Sequence, residues 1–361
     1  MPHPASSFCV ERFAAMNPHS TFRTRARAWL ARLTGSGRSA PRCDPALLRQ
    51  AIEQVVDGVD PRLRALPGYA RKLAPAVEHT LGYFIECGEW LAAPVEFSAR
   101  AWDGEPLVRT LFATVADLHR FFGHDQGLRN FFHDRPLADE AYIGLGVTRH
   151  AQQRFGVSLS GELLQREVPQ TVIGFSDYRL FGACDSEAGL RRHIEQRGFG
   201  FLIGEALERI VEQHAAGDGE RHEQQMLELR LRALLQKRRA VDALYYESQA
   251  ALDDEIAALR TRLMHAQEAR AARRTGGARL EGYIDAIAAV LSEAERHVKR
   301  ETVRLRINRM NVLVESPDEP ADELLLSEVT IGSRPPRVVV LVRYPRAELR
   351  DERMRLDAAR D

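Results

Sequence analysis

The amino-acid sequence predicts an α+β fold, predominantly helical: an N-terminal helical region, a small antiparallel sheet, a long helical or coiled-coil segment, and C-terminal antiparallel strands. Three observations carry this expectation. Apolar residues recur at helical spacing over residues 44–135 and 186–216. They alternate in the manner of strands over 140–183 and again after residue 301. Between those stretches, residues 220–275 hold neither Gly nor Pro over 56 positions and are dense in strong helix formers.

The N-terminal region comes first. Residues 1–43 read as a basic, disordered tail with arginines from Arg12 to Arg42 against only Glu11. Within it Phe22, Ala26, Trp29, Leu30 and Leu33 share one face of a short helix. That face suits either a membrane surface or partner, or packing on its own domain, with Met16 as an alternative start. Asp44 and Pro45 then form a helix start, an acceptor followed by Pro at the first helical position. Leu47, Leu48, Ile52, Val55 and Val56 continue that helix. A second is expected over about 69–92, with Pro75 marking its start or a kink. A third is expected over Pro106–Phe122, and a shorter one runs through Leu128, Phe131 and Phe132.

In residues 140–183 the alternation is punctuated by Gly, Ser and Pro, which predicts three or four short strands joined by tight turns. Helix returns over 186–216, with a possible break at Gly198–Gly200. As one helix, residues 220–275 would reach about 84 Å at ~1.5 Å per residue. Leu252, Ile256, Leu259 and Leu263 form a coiled-coil seam. The upstream stripe through Leu227, Leu231 and Leu234 is one residue out of phase with it, so the segment either shifts register or folds back as a hairpin. An amphipathic helix over 279–300 precedes three strand candidates at Val303–Ile307, Leu324–Ile331 and Val338–Val342. Residues 301–345 thus read as a meander, followed by a charged tail over 346–361. The resulting segments are 1–43, 44–135, 136–216, 217–300, 301–345 and 346–361. Whether the two strand groups share a sheet stays open at this level.

Composition narrows function. The 51 basic and 51 acidic residues cancel, which argues against a protein built to grip nucleic acid. Four scattered cysteines form no C-x-x-C and fit a reducing compartment, and no apolar run approaches the ~20 residues of a membrane span. The cytoplasm is therefore the expected location. None of the three lysines follows a Gly, so a Walker loop is absent. Gly144 and Gly146 lack the third glycine of a dinucleotide fingerprint. Ser158 lacks the second glycine of a nucleophile elbow, and His222 and Glu223 lack the second histidine of a zinc-protease helix.

One group carries possible chemistry. His119, His124, Asp125, His133 and Asp134 supply nitrogen and oxygen ligands suited to a hydrolytic divalent metal. Asp177, Tyr178, Arg179 and Asp185 form a weaker polar group. No cofactor is expected beyond that metal. The leading expectation is a non-enzymatic protein that associates with itself, as a homodimer, or with another protein through the 220–275 segment. The alternatives are a metal-dependent hydrolase using His119, His124 and His133, and a peripheral membrane protein anchored by Phe22, Trp29, Leu30 and Leu33.

Overall fold

The computed structural model describes residues 44–160, 163–214, 220–241, 247–270, 280–316 and 319–349. The Phe22–Leu33 helix and nearly all of the charged tail lie outside them. The described residues form a mixed α+β structure in which both strand groups join one sheet. The strands are β1 (Val95–Glu96), β2 (Glu140–Ser160), β3 (Leu163–Cys184), β4 (Val298–Ile307), β5 (Asp322–Ile331) and β6 (Arg337–Pro345), in the order β3-β2-β6-β5-β4.

The apolar run expected as a strand becomes β6, the strand between the two groups. Val338, Val340, Val342 and Tyr344 face one side with Ala141, Ile143, Leu145 and Val147 of β2. Val339 and Leu341 face the other. A strand apolar on both faces requires cover on both, and each of these side chains contributes about 1.5–3 kcal/mol on burial. On the first face lie short helices: α3 (Ala99–Gly104), α4 (Pro106–Leu111), α5 (Val115–His124) and α6 (Gln126–Asp134). Their aromatic side chains fill that face, with Phe122 stacked on Tyr344 at 4.5 Å between centroids. On the other face lies a helical layer of α1 (Pro45–Val59), α2 (Tyr69–Trp90), α7 (Glu187–His214), α8 (Glu220–Val241) and α10 (Leu280–Leu291), with its own core around Val55, Leu73, Phe201 and Ile287.

The expected short meander over 140–183 is instead two strands of 21 and 22 residues. The punctuation is accommodated as bulges. The β2–β3 register shifts at three places, each with an extra residue on β3. Those residues are Glu167, Asp177 and Gly182, all at positive φ. A bulge bends its strand and adds twist, so β3 curls. Its middle reaches the chain that follows β4: Ile173 N donates to Asn311 O at 2.8 Å and Leu313 N to Thr171 O at 2.8 Å. Leu313 in turn bridges Ile307 at the end of β4. The sheet is thereby tied back toward its own far edge.

Other expectations are corrected by local chemistry. The helix expected over Pro106–Phe122 is divided, because Thr114 caps α5 by accepting from Asp117 N at 3.1 Å, and Trp102 Nε1 donates to the Phe112 carbonyl at 2.7 Å. The helix expected over 186–216 does not break at Gly198. That glycine permits close approach, since a Cβ there would stand 2.3 Å from the Phe84 ring. The helix expected to run to residue 300 ends at Leu291, apart from a single turn, α11 (Ala294–His297). Strand β4 begins at Val298, paired with Ile331. Pro75 lies inside α2. Among the described residues, no helix is long and apolar enough to cross a membrane.

Gly144 stands opposite Phe181 with its Cα against the ring, and a Cβ there would lie 2.2 Å from it. Gly144→Ala is expected to destabilise the fold by about 1–3 kcal/mol through overpacking, read as a lowered urea midpoint at unchanged m-value.

Candidate functional site

The metal group suggested by sequence is dispersed. His119 is buried, and its Nε2 meets Glu348 Oε2 at 2.5 Å. Glu348 also accepts from Ala99 N at 3.1 Å, so this pair pins α5 to the turn after β6 and to the start of α3. His124 is exposed, and its Nδ1 lies 2.6 Å from the Arg120 carbonyl of its own helix. Asp125 caps α6, accepting from Leu128 N at 2.7 Å, and burial raises its pKa above the usual carboxylate value. His133 and Asp134 are exposed at the end of α6. Among the described residues, no three His, Cys, Asp or Glu side chains are placed to hold a metal ion.

The two polar groups noted in the sequence do meet in part. An open groove of about 830 Å³ between α5 and β3 is lined by His124 and Asp125 together with Tyr178 and Arg179. Tyr178 donates its hydroxyl to the Leu111 carbonyl at 2.6 Å, and burial pushes its pKa up to about 12. It stays protonated at neutral pH and serves as a brace between β3 and α4. Asp177 occupies a bulge, where its carbonyl accepts from Arg337 at 3.0 Å, and Asp185 is exposed beyond the end of β3.

The proposed interaction seam is covered within the chain. Helix α9 (Glu247–Arg270) lies against α8, and the two are separate helices. Ile256 and Leu259 are buried against Leu227 and Leu234, and Leu252 and Leu263 are partly buried in the same cluster. Ion pairs Arg230–Glu255 at 2.9 Å and Arg238–Asp253 at 3.0 Å flank it. The two out-of-phase stripes therefore face each other as a hairpin. Within the chain the seam thus already has cover, complete at Ile256 and Leu259 and partial at Leu252 and Leu263.

A different surface is left uncovered. The β6 ladder on β2 ends at Val147, and among the described residues β3 meets the chain after β4 at residues 171–173. Beyond those points, among the described residues, β2 and β3 pair only with each other, from Gln153 to Ser160 and from Leu163 to Gln170. At ~3.3 Å per residue this arm is about 26 Å long. A two-stranded hairpin alone is at best marginally stable in water. Phe155 on it is 80% exposed.

The two edges of the arm differ. Thr171 O and Ile173 N point away from β2, toward residues 311–313. By alternation Pro169 also directs its backbone nitrogen outward, where it offers no donor. With the bulge at Glu167, the β3 edge is blunted against strand addition. On β2 the residues opposite, Ala151, Gln153 and Phe155, point their amides to the other edge. Among the described residues no strand pairs that edge there. Sequence reasoning missed the arm because its pairing partners are set by where β6 stops. The available signal was the alternation running through residues 149–159.

A polar cluster and a cavity lie under the helical layer. Lys237 of α8 pairs with Glu205 at 2.5 Å and with Glu208, and His297 Nδ1 lies 3.3 Å from Glu205. Burial alone would raise the Glu205 pKa, but the hydrogen bonds from His297 and Lys237 outweigh it and leave the group below 4.5. Between α2, α7 and the sheet is a partly enclosed, apolar cavity of about 80 Å³ lined by Phe84, Phe181, Ile331 and Val339. A void of that size in a core costs about 2 kcal/mol at ~24 cal/mol per Å³.

Because the Glu205 pKa is lowered on folding, its contribution is present above pH 4.5 and is lost as pH falls through the folded value. Lys237→Met is expected to cost about 2–3 kcal/mol near pH 7, below the ~3–5 kcal/mol of a fully buried pair. The stability difference from wild type should shrink below pH 4.5 in denaturant titrations run across pH. No family model matches the chain, and no curated protein or solved structure is similar to it.

Proposed function

We propose that this chain is a non-enzymatic self-association protein that forms a two-fold homodimer through the β2 edge of its β2–β3 arm. The observation that supports this most is the asymmetry of the arm: one edge is blunted by Pro169 and the Glu167 bulge, and the other is open from Ala151 to Phe155. Two such open edges brought together antiparallel about a two-fold axis form a four-stranded sheet in which each copy supplies the same donors and acceptors. A hairpin that is marginal alone becomes stable in that setting, and Phe155 gains cover.

Charge is consistent with a like partner. The chain has no net charge, so two copies approach without long-range repulsion, and the arm carries both signs in Arg154 and Glu167. The α8–α9 hairpin, its seam already filled, acts in this reading as a brace on the helical layer. The Walker, dinucleotide, nucleophile-elbow and zinc-protease signatures are each incomplete in this chain, which favours a non-enzymatic role, and the cover on the α8–α9 seam favours the arm over the helices as the point of contact.

Sedimentation equilibrium of the full chain at several concentrations tests this. Wild type is expected at twice the 40.7 kDa of one chain. Gln153→Pro removes an outward donor while leaving the β2–β3 backbone ladder in place, at the loss of one exposed side-chain bond to Thr171 Oγ1, and Phe155→Glu adds a charge to the contact. Both are expected to sediment as monomers with unchanged circular dichroism. A wild type that is monomeric throughout, or variants that dimerise as wild type does, would refute the proposal.

A further inference from the structure

The cavity between α2, α7 and the sheet is independent of the arm. We infer that it is a binding site for a small neutral hydrocarbon, held by apolar contact alone. The walls come from both layers and include Phe84, Leu91, Phe181, Ile194, Ile331 and Val339. Packing is close beside them, since a Cβ on Gly198 would stand 2.3 Å from the Phe84 ring. The space is therefore a local void in a well-packed interface, lined by aromatic and branched side chains as ligand pockets are. On α8 the wall is Ala240, a position where a longer apolar side chain would fill the space. The cavity is only partly enclosed, which leaves a path from solvent.

The polar side chains among the lining residues are committed elsewhere. The Trp90 indole N–H donates to Thr302 at 2.9 Å. Arg197 donates to the Arg239 carbonyl at 2.7 Å and to His193 at 2.9 Å. Arg300 sits 5.4 Å over the Tyr83 ring and meets Glu86 at 3.3 Å. Burial raises the Cys87 pKa, so its thiol is neutral near pH 7. The walls thus present almost no polar surface. A trapped water needs about two to four polar partners, and a polar or charged ligand would be stripped of its hydration there without replacement. A neutral apolar molecule gives up no hydrogen bonds on entry and gains dispersion contacts on all sides. At about 80 Å³ the space is about half the ~150 Å³ of an engineered apolar cavity that stays dry and binds benzene or xenon, so its occupant is xenon-sized to about four carbons.

Xenon NMR of the full chain under xenon pressure tests this, with propane and dimethyl ether as competitors of like size. A saturable xenon shift is expected. Propane is expected to displace xenon at a concentration at least about ten-fold lower than dimethyl ether, which carries an oxygen where propane has a methylene. Ala240→Leu is expected to abolish the saturable shift with unchanged circular dichroism. Val339→Ala is expected to widen the cavity from β6 and to raise its affinity for benzene at least about ten-fold over wild type. No saturable shift in wild type, a shift that survives in Ala240→Leu, equal competition by propane and dimethyl ether, or no gain for benzene in Val339→Ala would overturn the inference.

Discussion

Strand β6 buries both of its faces, and the rest of the architecture answers to that constraint. A strand with Val338, Val340, Val342 and Tyr344 on one side and Val339 and Leu341 on the other cannot be the surface of a sheet. It needs a layer on each side, and the chain provides them from sequence-distant segments: short aromatic helices before β2, and the helical layer that flanks and follows β3. The same strand joins the two strand groups, since β2 pairs along most of its length and β5 only at its start. Where β5 departs, β1 takes over the same edge at Val342 and Arg343. Each neighbour of β6 is thus fixed by its hydrogen bonds as well as by its apolar faces.

Because β6 is short, β2 and β3 outrun it. Buried core reaches along the hairpin as far as Ile173, and past it the hairpin continues as an arm. The bulges on β3 have two consequences at once. They curl the sheet so that β3 meets the chain after β4, and they leave β3 a poor edge for further pairing. The open edge is left to β2. An arm with one guarded and one unguarded edge restricts how a second copy can approach, which is why the contact proposed for it is two-fold and closes rather than growing into a fibre.

Much of this was legible in the sequence, and the failures have physical causes. Helix α1 starts at Pro45 as its capping signal predicts, and β6 contains the apolar run recognised as a strand. Strand β3 was misread as several pieces because each bulge flips the alternation. The inward residues are Ile173 and Phe175, then, past Asp177, Tyr178 and Leu180, and past Gly182, Ala183. A glycine in a bulge and a glycine in a turn look the same until the partner strand is known. Gly198 leaves a possible break open at the level of sequence, because sequence does not show that Phe84 will press against it. The phase slip between the two leucine stripes did signal the α8–α9 hairpin, as one of two outcomes. The histidine group looked like a site because its members are near in sequence. In the fold His119 turns inward to Glu348 while His124 and His133 turn outward. The apolar cavity has no sequence signal, since its walls come from seven elements, α2, β3, α7, α8, β4, β5 and β6.

Native-state hydrogen exchange, resolved by strand, tests the central role of β6 most directly. If both layers depend on it, the amides of Val338–Tyr344 exchange among the slowest in the molecule, and only through global unfolding. Exchange at β6 that outpaces α2 and α7 would show that the two layers stand without it, and would contradict this account.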